Sequence, residues 1–302
     1  MDYKTIISSK KLRFSILRAL SFVPDSIMIP IQYKMKTGRW PNLKHPTRFT
    51  EKLQVYKMKY RNPIMSRCVD KYEVRKYIEE QGFGKLLVPC LGIYNNASEI
   101  DFKSLPNQFV IKSTDGGGGS NVLICHDKSE LDIQNTIQEI NSWLGTNKVN
   151  PGREWAYTGI KKSRIIIEEY IPNDPAKGGL IDYKFFCFNA KCEYIYVVAD
   201  RIPGKGGGFG IFTPDFIRLD VTRVDEHPLK RNISKPENYE ELLATAERLA
   251  IGFPEVRVDL YNVDNKVLFG ELTFYDGSGY MTFSPDSFDE EMGTKFDINS
   301  FT

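Results

Sequence analysis

Three pairs of short β-rich runs, each pair broken by a turn signal, constrain this chain more than any other feature. Residues 108–112 and 122–125 flank the loop 113–121, 181–188 and 192–200 flank Asn189-Ala190, and 255–261 and 267–274 flank Asp264-Asn265. Runs joined by so few residues pair antiparallel, because a parallel pair needs a crossover of a dozen residues or more. Further strand patterns lie at 86–94 and 163–171. Helical patterns fill the remaining stretches: 72–80 closed by Gly82 and Gly84, 129–144 ending at Gly145, and 236–250 with Leu242, Leu243, Ala246 and Leu249 on one face. The expectation is an α+β fold built mainly from antiparallel hairpins, with no internal repeat.

The chain has 302 residues, 41% hydrophobic and 26% charged, enough to bury the core of one large domain or two small ones and incompatible with global disorder. Its net charge of +2 hides an asymmetry. Residues 1–61 hold 14 Lys/Arg against 3 Asp/Glu, a net of +11, which leaves 27 against 36, or −9, for residues 62–302. A basic N-terminal arm of this kind meets an anionic partner such as a phospholipid surface, a nucleic acid or an acidic polymer. Within it, Leu12, Ile16, Leu17 and Leu20 share one face of a helix over 10–22. That face serves either a membrane surface or docking onto the body of the protein. Residues 34–61 stay basic, and turns at Trp40-Pro41, His45-Pro46 and Asn62-Pro63 place the edge of the catalytic body near residue 62.

Five scattered cysteines (Cys68, Cys90, Cys125, Cys187 and Cys192) form neither a zinc pattern nor a disulfide framework, which points to a reducing cytoplasm. The most apolar stretch, 12–31, is interrupted by Arg13, Arg18, Pro24 and Asp25, so neither a membrane span nor a secretory signal is expected. His45, His126 and His227 sit beside no nucleophile, and no RRM, KH or helix-turn-helix signature is present, so no nucleic-acid partner is expected.

Four constellations carry chemistry. The loop Thr114-Asp-Gly-Gly-Gly-Gly-Ser-Asn121 lies between strands rather than before a helix, so it is neither a Rossmann nor a Walker loop. Its glycines would let backbone N–H groups approach a polyphosphate, or they form a simple hairpin tip. Lys112 before it and Lys71 upstream could counter phosphate charge. In the last hairpin, a three-residue loop centred on Asn265 would set Asp259 opposite Glu271 and Arg257 opposite Thr273. Facing carboxylates need neutralising, and Mg²⁺ takes hard oxygens, with Arg257 left to meet a migrating phosphoryl group; an ion-pair ladder on a solvated face is the plainer alternative. Ile165-Ile-Ile-Glu-Glu-Tyr-Ile171 carries Glu168 and Glu169 to a strand end, where backbone groups could meet an adenine edge or the strand merely leaves its sheet. Two glycine segments remain. Residues 204–210 read as a flap or a loop, and Asp276-Gly-Ser-Gly279 could offer amides of Gly277 and Ser278 to an acyl oxygen.

Taken in order, Lys71, Lys112, the loop at 115–120, Glu168 to Ile171, Arg257-x-Asp259 and Glu271-x-Thr273 resemble the ATP-grasp superfamily. Asp70-Lys-Tyr, Asp182-Tyr-Lys-Phe, Arg257-Val-Asp-Leu-Tyr and Phe269-Gly-Glu-Leu-Thr-Phe274 narrow the resemblance to the TupA-like family, over about residues 62–285. The resemblance implies two α+β subdomains (about 106–168 and 169–302) whose antiparallel sheets sandwich ATP, within a catalytic domain 62–302 that follows a basic, mainly helical segment 1–61. It implies that Lys71, Lys112 and the loop of Asp115, Gly116, Gly117, Gly118, Gly119 and Ser120 hold phosphates, with Lys184 and Arg201 as further cofactor contacts. Glu168, Glu169, Tyr170 and Ile171 would line adenine and Asp182 would hold the ribose. Asp259, Glu271 and Thr273 would bind one or two Mg²⁺, or Mn²⁺ in their place, with Arg257, Gly277 and Ser278 at the reacting acyl phosphate. Thr273 stands where many ATP-grasp ligases have Asn, and the basic arm replaces their usual preceding substrate domain. The implied reaction is ATP-dependent amide formation, here joining an amino acid or small amine to a uronic acid that is nucleotide-linked, lipid-linked or polymeric, in a bacterial surface polysaccharide such as a capsule or O-antigen. A peptide or polyglutamyl ligase and a non-catalytic ATP-binding pseudo-ligase are the alternatives. The expected location is the cytoplasm, with peripheral contact at the inner face of the membrane through residues 1–61.

Overall fold

The computed structural model describes residues 10–117, 121–145, 150–202 and 206–301, so Gly118, Gly119 and Ser120 of the glycine loop and Gly204 and Lys205 of the second glycine segment lie outside the described residues. Helices α1 (Lys10–Ala19), α2 (Asp25–Thr37), α3 (Phe49–Lys59), α4 (Pro63–Cys68) and α5 (Glu73–Glu80) come first. Strands β1 (Cys90–Tyr94), β2 (Phe109–Ser113) and β3 (Val122–Cys125), helices α6 (Ile133–Ser142) and α7 (Trp155–Thr158) and strand β4 (Ile165–Glu169) follow. The remainder is β5 (Asp182–Phe188), β6 (Lys191–Ile202), β7 (Gly206–Phe212), β8 (Thr222–Arg223), β9 (His227–Pro228), α8 (Tyr239–Leu249), β10 (Glu255–Val263), β11 (Lys266–Thr273), β12 (Phe283–Ser284) and α9 (Ser287–Lys295). The chain divides into two compact units. The larger collects the described parts of 1–61, 149–155 and 174–302, and the smaller those of 62–148 and 156–173.

The smaller unit is a four-stranded antiparallel sheet in the order β1-β4-β2-β3. Strand alternation sends Phe109, Ile111, Ile165 and Ile167 inward, where they pack with Ile140 and Trp143 of the α6 region. The helix expected over 129–144 begins only at Ile133, because the Asp132 side chain accepts from the Asn135 N–H at 3.0 Å and caps it there. The β2–β3 hairpin forms as expected, but β1 pairs with β4 across a separation that no local pattern reveals.

The larger unit is a six-stranded sheet, β11-β10-β5-β6-β7-β9, antiparallel except for the short β7–β9 contact. Its central strand β5 is buried along its whole length. On one face Phe185 meets Tyr239 of α8; on the other, Phe186 and Phe188 pack edge-on against Phe49 of α3, at centroid separations of 6.1 and 5.6 Å. Helix α3 therefore supplies core to this sheet, and the N-terminal residues group with the larger unit rather than standing apart. The flap or loop expected at 204–210 is corrected for its described part. Gly206 to Gly210 lie in β7, paired with β6 with Val198 opposite Phe209. A Cβ on Gly207 would stand 2.7 Å from the Ala199 carbonyl oxygen, so glycine there serves close strand approach.

The β10–β11 hairpin brings Arg257 opposite Thr273 and Asp259 opposite Glu271, the expected pairing, by a different route. The turn is the two-residue Asp264-Asn265, both in the left-handed region (φ 50° and 59°), as a type I′ turn requires. Left alone, this turn would offset the pairing by one residue and put the site residues of β11 on the wrong face. A bulge that leaves Gly270 unpaired restores it. A Cβ on Gly270 would sit 2.9 Å from the Asp259 carbonyl oxygen. Gly270→Ala is expected to lower stability by about 1–3 kcal/mol, read as a shift of the urea midpoint; an unchanged midpoint would show that the bulge tolerates a side chain.

Candidate active site

Residues directly opposite one another in a sheet point to the same face, so the registers of β5, β10 and β11 gather Asp182, Lys184, Arg257, Asp259, Glu271 and Thr273 on one face. Arg257 is buried at their centre. Its Nε and Nη2 donate to the two oxygens of Asp259, each at 2.7 Å, and Nη2 also reaches Glu271 Oε1 at 3.1 Å and Thr273 Oγ1 at 3.0 Å. Nη1 donates to Asp276 Oδ1 just beyond β11. Burial works against the guanidinium charge, but Asp259 and Asp276 overrule it and hold the pKa of Arg257 well above its ordinary value.

Lys184 donates to Asp259 Oδ2 and is ion-paired with Asp182 Oδ2 at 2.7 Å, and Arg201 donates to the same Asp182 oxygen at 2.6 Å. The other oxygen of Asp182 is buried and accepts no hydrogen bond. Such an unmet acceptor is costly unless a ligand donor fills it. Burial pushes the Asp259 carboxyl up to about 6, against the pull of Arg257 and Lys184.

The facing carboxylates are thus neutralised by the chain's own cations, so their opposition does not by itself demand a metal. Among the described residues no three His, Cys, Asp or Glu side chains gather as a metal cluster. The donor set still fits a hard divalent cation in kind. Asp259 and Glu271 offer carboxylate oxygen and Thr273 a hydroxyl, and Mg²⁺ ordinarily completes its shell with water and phosphate oxygens. Glu271, 43% exposed at its side chain, is the open member of the set.

Asp276 is the residue the sequence reading missed. It accepts from Arg257 and from Arg223 Nη1 at 3.0 Å. Burial alone would raise its pKa, and Arg223 and Arg257 together hold it below the ordinary carboxylate range. The signal was its place at the head of the glycine turn, where only the glycine and serine drew notice.

In that turn Gly277, Ser278 and Gly279 all take positive φ (49°, 56° and 68°). The expectation that Ser278 presents its amide to an acyl oxygen is corrected. Its N–H donates to the Tyr275 carbonyl at 2.8 Å, and its hydroxyl donates to buried Glu154. Helix α3 clamps the turn from below. Gln54 Nε2 donates to the Gly279 carbonyl, and Lys57 Nζ donates to the carbonyls of Ser278 and Gly152, each at 2.9 Å.

The smaller unit carries the other expected contacts. Asp70 caps α5 by accepting from the N–H groups of Tyr72 and Glu73, both at 2.9 Å, which fixes the adjoining Lys71. The Lys71 N–H donates to the Thr114 carbonyl at 2.7 Å and its Nζ to the Gly116 carbonyl, so this lysine is seated on the glycine loop. Asp115 accepts from Ser163 at 2.7 Å, and Gly117 comes close to the Tyr157 hydroxyl. Lys112 and Glu168 share the outer face of the sheet as diagonal neighbours and form a 2.7 Å ion pair, with Arg75 on the other Glu168 oxygen at 3.1 Å. Glu169 stays in the sheet through its N–H to the Pro89 carbonyl at 3.0 Å. Tyr170 and Ile171 lie past the strand end, with the Tyr170 ring edge-on to His126.

The TupA-like ATPgrasp family matches residues 51–297 of this sequence. The chain belongs to that family. The match takes in Lys71, Lys112, Asp182, Arg257, Asp259, Glu271 and Thr273, and it gives the two antiparallel units their fold as ATP-grasp. No curated protein matches the sequence. Among solved structures, the D-alanine–D-alanine ligase from Bacillus anthracis is 16% identical, with 68% of this chain and 57% of that chain covered and a TM-score of 0.42. The N5-carboxyaminoimidazole synthetase from Staphylococcus aureus, in complex with ADP, is 13% identical over 74% of this chain and 50% of that one, with a TM-score of 0.44. This ATP-grasp chain therefore spans about half the length of those structures.

The clamp from α3 generates a pH signature. Burial drives the Lys57 ammonium pKa down to about 7, against an ordinary value of 10.5. Protons then leave Lys57 at lower pH in the folded state than in the unfolded chain. Its contribution to stability rises between about pH 7 and pH 10 and is unfavourable below that window. Lys57→Met should flatten this rise in thermal-unfolding measurements; an identical pH profile in the variant would remove Lys57 as its source.

Proposed function

We propose that this protein is an ATP-dependent carboxylate–amine ligase that attaches an amino acid or small amine to a uronic acid of a bacterial surface polysaccharide. The observation that carries the reading is the buried charge network around Arg257, open at Glu271 and left with an unmet acceptor on Asp182. Apolar side chains would pack such a sheet face at lower cost than paired ions, so a network kept there serves chemistry.

In the proposed reaction a substrate carboxylate oxygen attacks the γ-phosphorus of ATP and releases ADP. The amine then attacks the acyl carbon of the acyl phosphate, loses a proton and expels inorganic phosphate, leaving an amide. Lys71 and Lys112 supply cationic donors to the phosphates, Lys112 by exchanging Glu168 for a phosphate oxygen. Asp182 receives a ribose hydroxyl on its unmet oxygen. Arg257, already aligned by Asp259 and Asp276, meets negative charge developing on the acyl phosphate without reorganising. Asp259, Glu271 and the Thr273 hydroxyl would hold Mg²⁺, which supplies counter-charge to the phosphate oxygens. No helix among the described residues is long and apolar enough to cross a membrane; the demand for ATP supports a cytoplasmic enzyme in this reading.

ADP release measured with Mg·ATP against uronic acids, nucleotide-linked uronates and uronate oligosaccharides, each with pooled amino acids and amines, tests the proposal. The expected result is release that needs both an acid and an amine, with a product lighter than their sum by one water. ATP binding without turnover across the matrix would replace the ligase with a non-catalytic ATP-binding protein. Glu271→Gln is expected to slow turnover by roughly a hundredfold, as loss of one charge-stabilising group at a reacting centre does. Asp182→Asn is expected to raise the KM for ATP by about tenfold with kcat little changed, the effect of losing one hydrogen bond to a bound ligand. Parent-like kinetics in either variant would remove that residue from its assigned role.

A further inference from the structure

Helix α2 is buried on one side, through Met28, Ile29, Gln32 and Tyr33, and apolar on the other. Ile27, Ile31 and Met35 recur every four residues along the outer side and are 53%, 38% and 48% exposed. Phe22, at 81%, precedes the helix and Trp40, at 62%, follows it, so large apolar side chains stand exposed along the helix and just beyond both of its ends. Isolated exposed apolar residues are ordinary, but a line of large ones along a helix marks an interaction surface.

The charge around this line identifies the partner. Residues 1–61 carry a net +11, and the acidic groups described within them are already engaged. Asp25 is paired with Arg153 at 2.8 Å, and Glu51 is buried, accepting from the N–H groups of Asn42 and Thr47. Of the described cations in this segment, Arg39 and Arg48 are paired with Asp286 and Glu290, while Lys34, on the outer side of α2 beside Met35 with its Nζ on the Gly38 carbonyl, and Lys44 stay exposed to meet an anionic partner. A second copy docked through the same face would set two such segments against each other and repel. A free acidic polymer would neutralise the charge and leave the apolar line wet. An anionic bilayer satisfies both, since an interfacial helix buries its apolar face at the acyl boundary with lysines reaching phosphate headgroups and an aromatic ring at headgroup level.

We propose that the outer face of α2, with Phe22 and Trp40 at its ends, docks this protein on an anionic phospholipid surface. The inference stands apart from the ligase reading, because it uses no residue assigned to ATP or metal. The experiment is sedimentation of the full chain with vesicles of phosphatidylcholine alone and with about one third phosphatidylglycerol, alongside tryptophan emission. Expected are binding to the anionic vesicles only, weakening as salt rises, and a blue shift that Trp40→Phe abolishes. The triple variant Ile27→Glu, Ile31→Glu, Met35→Glu is expected to lower partitioning by about tenfold or more. Phe22→Glu, in an exposed turn outside the helix, provides the same loss should the triple variant unfold. Equal binding to neutral vesicles, parent-like binding by Phe22→Glu, or a dimer in solution that these substitutions dissolve would each overturn the proposal.

Discussion

Arg257 makes hydrogen bonds to four side chains drawn from two strands and the turn that follows them. Each of those partners is positioned by something else, Asp259 and Glu271 by the hairpin register and Asp276 by the positive-φ turn, and the guanidinium ties all four together. Removing a central cation of this kind strands buried carboxylates, typically at about 3–5 kcal/mol. The face is therefore rigid as built. A ligand arriving there finds fixed charges already oriented, and little of its binding free energy goes into ordering them.

The same economy explains the N-terminal residues. Phe49 and Tyr56 fill the space beneath the larger sheet, with Phe296 between them at centroid separations of 6.2 and 5.5 Å. On the same helix, Gln54 and Lys57 hold the carbonyls of the 276–279 turn. Helix α3, buried on more than one side, thus serves both as core and as a scaffold for the site. A segment that reads in sequence as a basic appendage groups with the larger unit.

The hairpins were legible because turn chemistry and β-rich runs are local signals, and α8 because its apolar stripe repeats at helical spacing. The Asp259–Glu271 pairing was reached through a longer turn than the one that forms. A missing bulge at Gly270 and an extra turn residue at 266 are each worth one step of register, and they cancelled. Strand β7 was hidden because glycine carries no β preference, and its place follows from close approach to β6 rather than from its own residues. The β1–β4 pairing depends on contacts far apart in sequence. The role of Asp276 becomes visible only when the turn folds back onto Arg257. For the β1–β4 pairing and for Asp276 the deciding contact joins separate elements, so the pattern of neither element alone contains it.

The division of the chain has its own consequence. Its boundaries fall at 61/62, between residues 145 and 150, at 155/156 and at 173/174, so the backbone passes from one unit to the other four times. Residues 150–155 belong to the larger unit although both of their flanks belong to the smaller, and Arg153 anchors them through bonds to the carbonyls of Leu20 and Val23. Two bodies joined by a single linker can be exchanged, duplicated or cut apart by one break. Here a cut at one crossing leaves three others joining the units, so a single break in the backbone does not part them.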